Sequence, residues 1–179
     1  HPEISRVFGN VETASVGYIV FGFSKKDIRN LPEGFGIVTP RRNDSFVTSV
    51  IFLDKKWPTL SDDEDILIGV NFGRSGEDAL VSLSNKEIEQ SILKDLNTIL
   101  GITKEPLFRI IKRWADAIPQ FTVTQQENIL LAKQILFDDY PGIYIAGQGL
   151  DGFGINHCIQ QANVIGNQIV EYAKKQNCL

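Results

Sequence analysis

Near its end the chain reads Gly142-Ile143-Tyr144-Ile145-Ala146-Gly147-Gln148-Gly149-Leu150-Asp151-Gly152-Phe153-Gly154-Ile155, and a long amphipathic stretch follows. An apolar run feeding a glycine-rich loop that opens a helix constrains the fold more than any other feature. Such a loop brings backbone close to whatever it faces, and a helix start presents free N–H groups at the positive end of its dipole. Gly147, Gly149 and Gly152 satisfy the G-x-G-x-x-G spacing of dinucleotide-binding units. A self-standing unit of that kind requires a further parallel strand with an acidic residue after the helix, whereas here the sequence stops at Leu179 with Glu171 still in the helical pattern. Two readings remain: a helix N-terminus suited to a phosphate or another electron-rich ligand edge, or a glycine-rich turn that packs a strand on a helix.

Upstream, the period is that of strands. Ser15–Phe23, Phe35–Thr39, Phe46–Leu53 and Ile66–Phe72 are β-branched and aromatic runs. Turn chemistry at Pro32-Glu33-Gly34, Arg42-Asn43-Asp44 and Ser61-Asp62-Asp63 separates them. Short spacers favour antiparallel neighbours. The period then changes. Ser84-Asn85-Lys86-Glu87 reads as a capping box opening a helix with Ile88, Ile92, Leu96 and Ile99 on one face, stopped by Gly101. Leu107–Trp114 alternates as a strand, Gln125–Phe137 reads as a helix, Ile143–Ala146 as a short strand and Asn156–Lys174 as the last helix. The expected class is α+β: a mainly antiparallel sheet with helices, plus a C-terminal strand, glycine loop and helix.

Composition narrows function more than fold. At 42% hydrophobic and 22% charged residues, 179 residues suffice for a packed core. Cys158 and Cys178 sit in no metal-binding spacing, which points to a reducing, cytoplasmic setting and away from zinc. The net charge of −4 offers no footprint for nucleic acid. The longest apolar run, Val16–Phe23, falls far short of the ~20 residues of a bilayer helix. Asp62-Asp63-Glu64-Asp65 lacks the spaced ligands of a calcium loop and reads as a solvated turn, so no metal is expected.

Candidate catalytic groups are sparse. His1 is terminal, and His157 and Cys158 diverge by about 100° around a helix, so they form no dyad. The catalytic and substrate-pocket residues stay unassigned. Trp114 either forms a flat wall for a ring-shaped ligand or caps the core, and Pro119 and Gln120 follow it. The chain opens His1-Pro2-Glu3 and contains no methionine. A processed protein, a trimmed chain or a piece of a longer one would each read this way.

Two segments, RWADAIPQF (Arg113–Phe121) and PGIYIAGQGLDGFGINHCI (Pro141–Ile159), resemble the C-terminal region of the protoporphyrinogen/coproporphyrinogen oxidases, flavoenzymes of the amine-oxidase superfamily. LSNKEIEQSILKDLNTILGI and ILIGVNFGRSGE are similar to that family in order and spacing, and the likeness spans residues 15–175. The resemblance implies a C-terminal portion of an FAD enzyme that dehydrogenates protoporphyrinogen IX or coproporphyrinogen III in heme biosynthesis. Residues 1–115 would belong to the substrate domain and 116–179 to the FAD domain, whose N-terminal Rossmann half is absent. It places Trp114, Gly152, Phe153, Gly154 and Ile155 at the flavin. Three positions depart from the family pattern: His157 stands where an acidic residue is usual, Phe121 where tyrosine is, and Thr124-Gln125 where Gly-His is common. The alternatives are a related amine- or carotenoid-type flavin oxidase and a stand-alone binding module without catalysis. Peripheral membrane contact and self-association of the parent stay open.

Overall fold

In the computed structural model the described residues are 1–28, 31–41, 45–60, 64–150, 152 and 154–176. The predicted turns at 42–44 and 61–63, Asp62 and Asp63 of the acidic run, Phe153 and Cys178 lie outside them. The chain divides into a sheet unit, Ala14–Ala117, and a helical unit, His1–Thr13 with Ile118–Leu179.

The sheet unit is built on strands β1 (Thr13–Ser24), β2 (Gly36–Val38), β3 (Val47–Phe52), β4 (Asp65–Phe72) and β5 (Phe108–Pro119), in the order β2-β3-β4-β1-β5. β1 pairs antiparallel with β4, β4 with β3 and β3 with β2. Side chains alternate across a strand, so Ile19, Phe21 and Phe23 of β1 share a face with Ile66, Ile68, Val70 and Phe72 of β4. That face is buried in one cluster with Ile88, Ile92 and Leu96 of helix α4 (Asn85–Leu100), numbered after the one-turn helices α2 (Leu53–Lys56) and α3 (Asp78–Val81). The opposite face of the sheet carries Tyr18, Val20, Gly22, Leu67, Gly69 and Asn71. α4 begins at the predicted capping box, Glu87 Oε2 accepting from the Ser84 N–H at 2.9 Å, and ends at Gly101 in the left-handed region, φ 68°.

Several carboxylates in this unit accept backbone N–H groups, and for two of them the bond lowers the pKa. Asp78 accepts the Ser15 N–H at 2.8 Å, and that hydrogen bond holds its carboxyl below the usual range. Glu87 is held low chiefly by the Ser84 hydroxyl, with help from the Ser84 N–H. A carboxyl whose folded pKa lies below its unfolded value stabilises the fold above the unfolded pKa and loses that contribution as pH falls through the folded one. The urea midpoint of the chain is therefore expected to fall below about pH 5. The double variant Asp78→Asn, Glu87→Gln should show a flatter acid limb in the same titration.

In the helical unit, α1 (Pro2–Gly9) is an element the sequence reading did not anticipate. His1 caps it, its Nδ1 accepting from the Glu3 N–H at 3.3 Å, and Pro2 occupies a first-turn position where no N–H is needed. α1 packs on α5 (Val123–Asp139) and buries Val7. The Thr122 hydroxyl caps α5 by accepting from the Gln125 N–H at 3.1 Å, and Gln125, Ile129, Ala132 and Leu136 form its buried face. α6 (Ile155–Lys175) follows the glycine loop and leaves much of its apolar stripe exposed, including Ile155, Ile159, Ile169 and Val170.

Two expectations need correction. Ile143–Ala146 forms no strand: a strand exists through its ladder, and among the described residues no neighbour pairs with this run. Its backbone begins with a turn instead, the Ile143 N–H donating to Tyr140 O at 3.1 Å. Trp114 does not end a strand, because β5 continues to Pro119 through Asp116, whose φ is 49°. No helix among the described residues is long and apolar enough to cross a membrane.

Candidate functional site

The glycine loop owes its path to backbone that other residues adopt poorly. Gly147, Gly149 and Gly152 have φ of 143°, 89° and 146°. The loop closes on itself through the Gly149 N–H to Gly152 O at 3.1 Å. The Pro119 ring packs where a Cβ on Gly149 would stand, and the His157 imidazole does the same at Gly152. From α6, the buried Gln161 carboxamide reaches back and accepts the Gly147 N–H at 3.1 Å, while its buried Nε2 has no hydrogen-bond partner among the described residues.

Gly154 is the N-cap of α6, and among the described residues no side-chain cap closes that end. The first intrahelical bond is Cys158 N–H to Gly154 O at 3.1 Å, so the N–H groups of residues 155–157 precede the helical ladder. Beside this end lies a cavity of about 640 Å³. Gly152, Gly154 and His157 bound it on the loop and α6 side; Leu150 and Phe121 with Gln126, Ile129 and Leu130 of α5 complete the wall. A mostly apolar hollow with free N–H groups at one end suits a flat ligand whose edge is electron-rich.

Of the residues the sequence singled out, Gly152 and Gly154 line this cavity and Ile155 begins the helix beside it with 79% of its surface exposed. Phe153 lies outside the described residues. Trp114 belongs to the sheet unit, where it is 48% exposed on β5. Phe121, Gln126, Ile129, Leu130 and Leu150 were not foreseen as cavity residues. The spacing of Gln126, Ile129 and Leu130 on one helical face was the available signal, though nothing in it says which element that face meets. His1 and His157 form no catalytic pair: the His1 ring packs edge-on to Tyr140 while its Nδ1 caps α1. Among the described residues no group of three His, Cys, Asp or Glu could hold a metal ion.

The family described as flavin containing amine oxidoreductase matches residues 1–163, and the chain belongs to it. Within that family the chain is 30% identical over 171 residues to the coproporphyrinogen III oxidase of Bacillus subtilis, covering 96% of this chain and 36% of that protein. It is 26% identical over 146 residues to the chloroplastic protoporphyrinogen oxidase of Oryza sativa, 80% of this chain and 27% of the relative. A solved structure described as a protoporphyrinogen oxidase from Exiguobacterium superimposes with a TM-score of 0.76 at 30% identity, over 96% of this chain and 40% of the other. Reduced UDP-galactopyranose mutase, at 10% identity and a TM-score of 0.68, shares the fold. The chain thus spans little more than a third of the length of the curated relative from Bacillus.

Proposed function

We propose that this chain is the C-terminal portion of an FAD-dependent oxidase that dehydrogenates a porphyrinogen, coproporphyrinogen III or protoporphyrinogen IX, to the porphyrin. The observation that carries this reading is the 30% identity with a coproporphyrinogen III oxidase along 96% of the chain. The division near residue 117 supports a boundary close to the expected one at 115/116 between a substrate domain and an FAD domain, although residues 1–13 group with the C-terminal unit rather than with the sheet.

The residues fit a flavin on their own geometry. The loop opens without side chains at Gly152 and Gly154, and the start of α6, whose N-cap is a glycine, offers backbone donors with no side-chain cap among the described residues. Gly152, Gly154 and Ile155 would hold the electron-rich edge of the ring through backbone N–H groups; the placement of Phe153 and Trp114 at the flavin rests on the family resemblance alone. When bound, the flavin supplies the redox chemistry, accepting hydride from the reduced tetrapyrrole and passing electrons to an acceptor. This chain's part is to position and polarise; no side chain at the cavity is assigned a proton transfer. Flavin content tests the assignment: the gene product that carries this chain should purify with about one FAD per polypeptide, and the 179-residue chain alone with almost none. A flavin-free gene product that takes up no added FAD would contradict it.

A further inference from the structure

The face of the sheet turned away from α4 has no role so far, and its chemistry is specific. On β5, Arg109 and Arg113 point to the helix side: Arg109 pairs with Glu89 at 2.9 Å, and Arg113 donates to Leu83 O at 2.8 Å and to Asn85 Oδ1 at 2.9 Å. Alternation then puts Phe108, Ile110, Lys112 and Trp114 together on the other face. Phe108 confirms this by lying where a Cβ on Gly22 would be, and Tyr18 lies likewise over Gly69. Two glycines thus let aromatic rings settle against the sheet backbone and keep the surface low. Phe108 is 41% exposed and Ile110 57%. Lys112 stands exposed among them, with no ion pair among the described residues.

An exposed ammonium on the edge strand, flanked along its face by Ile110 and Trp114, fits a ligand that is flat and apolar but carries an acid. We propose that the even face of β5 seats the substrate and that Lys112 is its carboxylate anchor, a specificity-determining residue. The inference rests on the porphyrinogen reading for the identity of the substrate, whose ring bears carboxylate side chains. It asks only charge pairing of Lys112, with no part in the redox step.

Binding of coproporphyrin III and of 1-pyrenebutyrate to the gene product that carries this chain, each beside its methyl ester, tests the assignment by quenching of tryptophan fluorescence. Lys112→Gln should weaken both acids about tenfold and leave the esters unchanged, while Lys112→Arg retains acid binding. An acid-over-ester preference unchanged in Lys112→Gln overturns the proposal, as does failure of both acids to bind the unaltered protein, including a protein that covers this face by self-association. Lys112-dependent binding of pyrenebutyrate without binding of coproporphyrin supports the anchor and sinks the porphyrin reading. Porphyrin binding indifferent to Lys112 does the reverse.

Discussion

Phe21→Ala is expected to destabilise the sheet unit by about 3–5 kcal/mol. Phe21 is fully buried at the centre of β1, pairs with Ile68 of β4 and lies 5.8 Å, centroid to centroid, from the Phe23 ring. Its face is closed by Ile88, Ile92 and Leu96 of α4, so truncation leaves a void between a sheet and a helix whose backbones cannot both collapse into it. Domains of this kind are stable by only about 5–15 kcal/mol, so the loss should show as a large fall in the urea midpoint read by far-UV circular dichroism. Phe35→Ala supplies the control. That ring is 63% exposed, and its removal should leave the midpoint nearly unchanged. A Phe21→Ala midpoint equal to that of Phe35→Ala would mean that the sheet and α4 do not form one core.

The second large effect is expected at Gly152. Its φ of 146° is one that side-chain-bearing residues rarely adopt, and a Cβ there would run into the His157 ring. Gly152→Val in the gene product should therefore displace the loop from the start of α6 and lower bound flavin at least tenfold, measured as flavin absorbance per polypeptide. Gly154→Ala should keep most of the flavin, because Gly154 has φ −75° and the nearest atom to its added Cβ is 3.7 Å away. Equal flavin content in Gly152→Val and the unaltered protein would remove the glycine loop from the site.

Much of this was visible in the residues, for reasons that can be named. The strands β1, β3 and β4 were legible because one face of each is buried, which imposes alternation, and α4 was legible because Ser84, Glu87 and Gly101 each satisfy backbone groups in a recognisable way. The glycine loop was legible because only glycine suits backbone at φ 143°, 89° and 146°. Ile143–Ala146 misled because apolar composition marks a segment that prefers to pair, and pairing depends on a neighbour the run itself does not encode. α1 was missed because a short terminal helix shows little periodicity; Pro2 and Glu3 after His1 were the cue. The α5 wall of the cavity was hidden for another reason: this helix buries Gln125 while Leu130 and Phe137 stay exposed, so polarity does not report its packing. β5 was read short because the turn of the backbone at Asp116, whose N–H donates to Ser15 Oγ at 3.2 Å, breaks alternation before the strand ends.

The central claim is that the whole protein oxidises a porphyrinogen with a bound flavin, and it is tested most directly by following porphyrin fluorescence. The purified gene product carrying this chain is incubated with coproporphyrinogen III or protoporphyrinogen IX, beside a sample without protein and a parallel assay of amines. The account predicts porphyrin formation well above spontaneous oxidation, abolished when flavin is removed and restored when FAD is added back. A flavin-bearing protein that leaves both porphyrinogens at the spontaneous rate while oxidising an amine would contradict it.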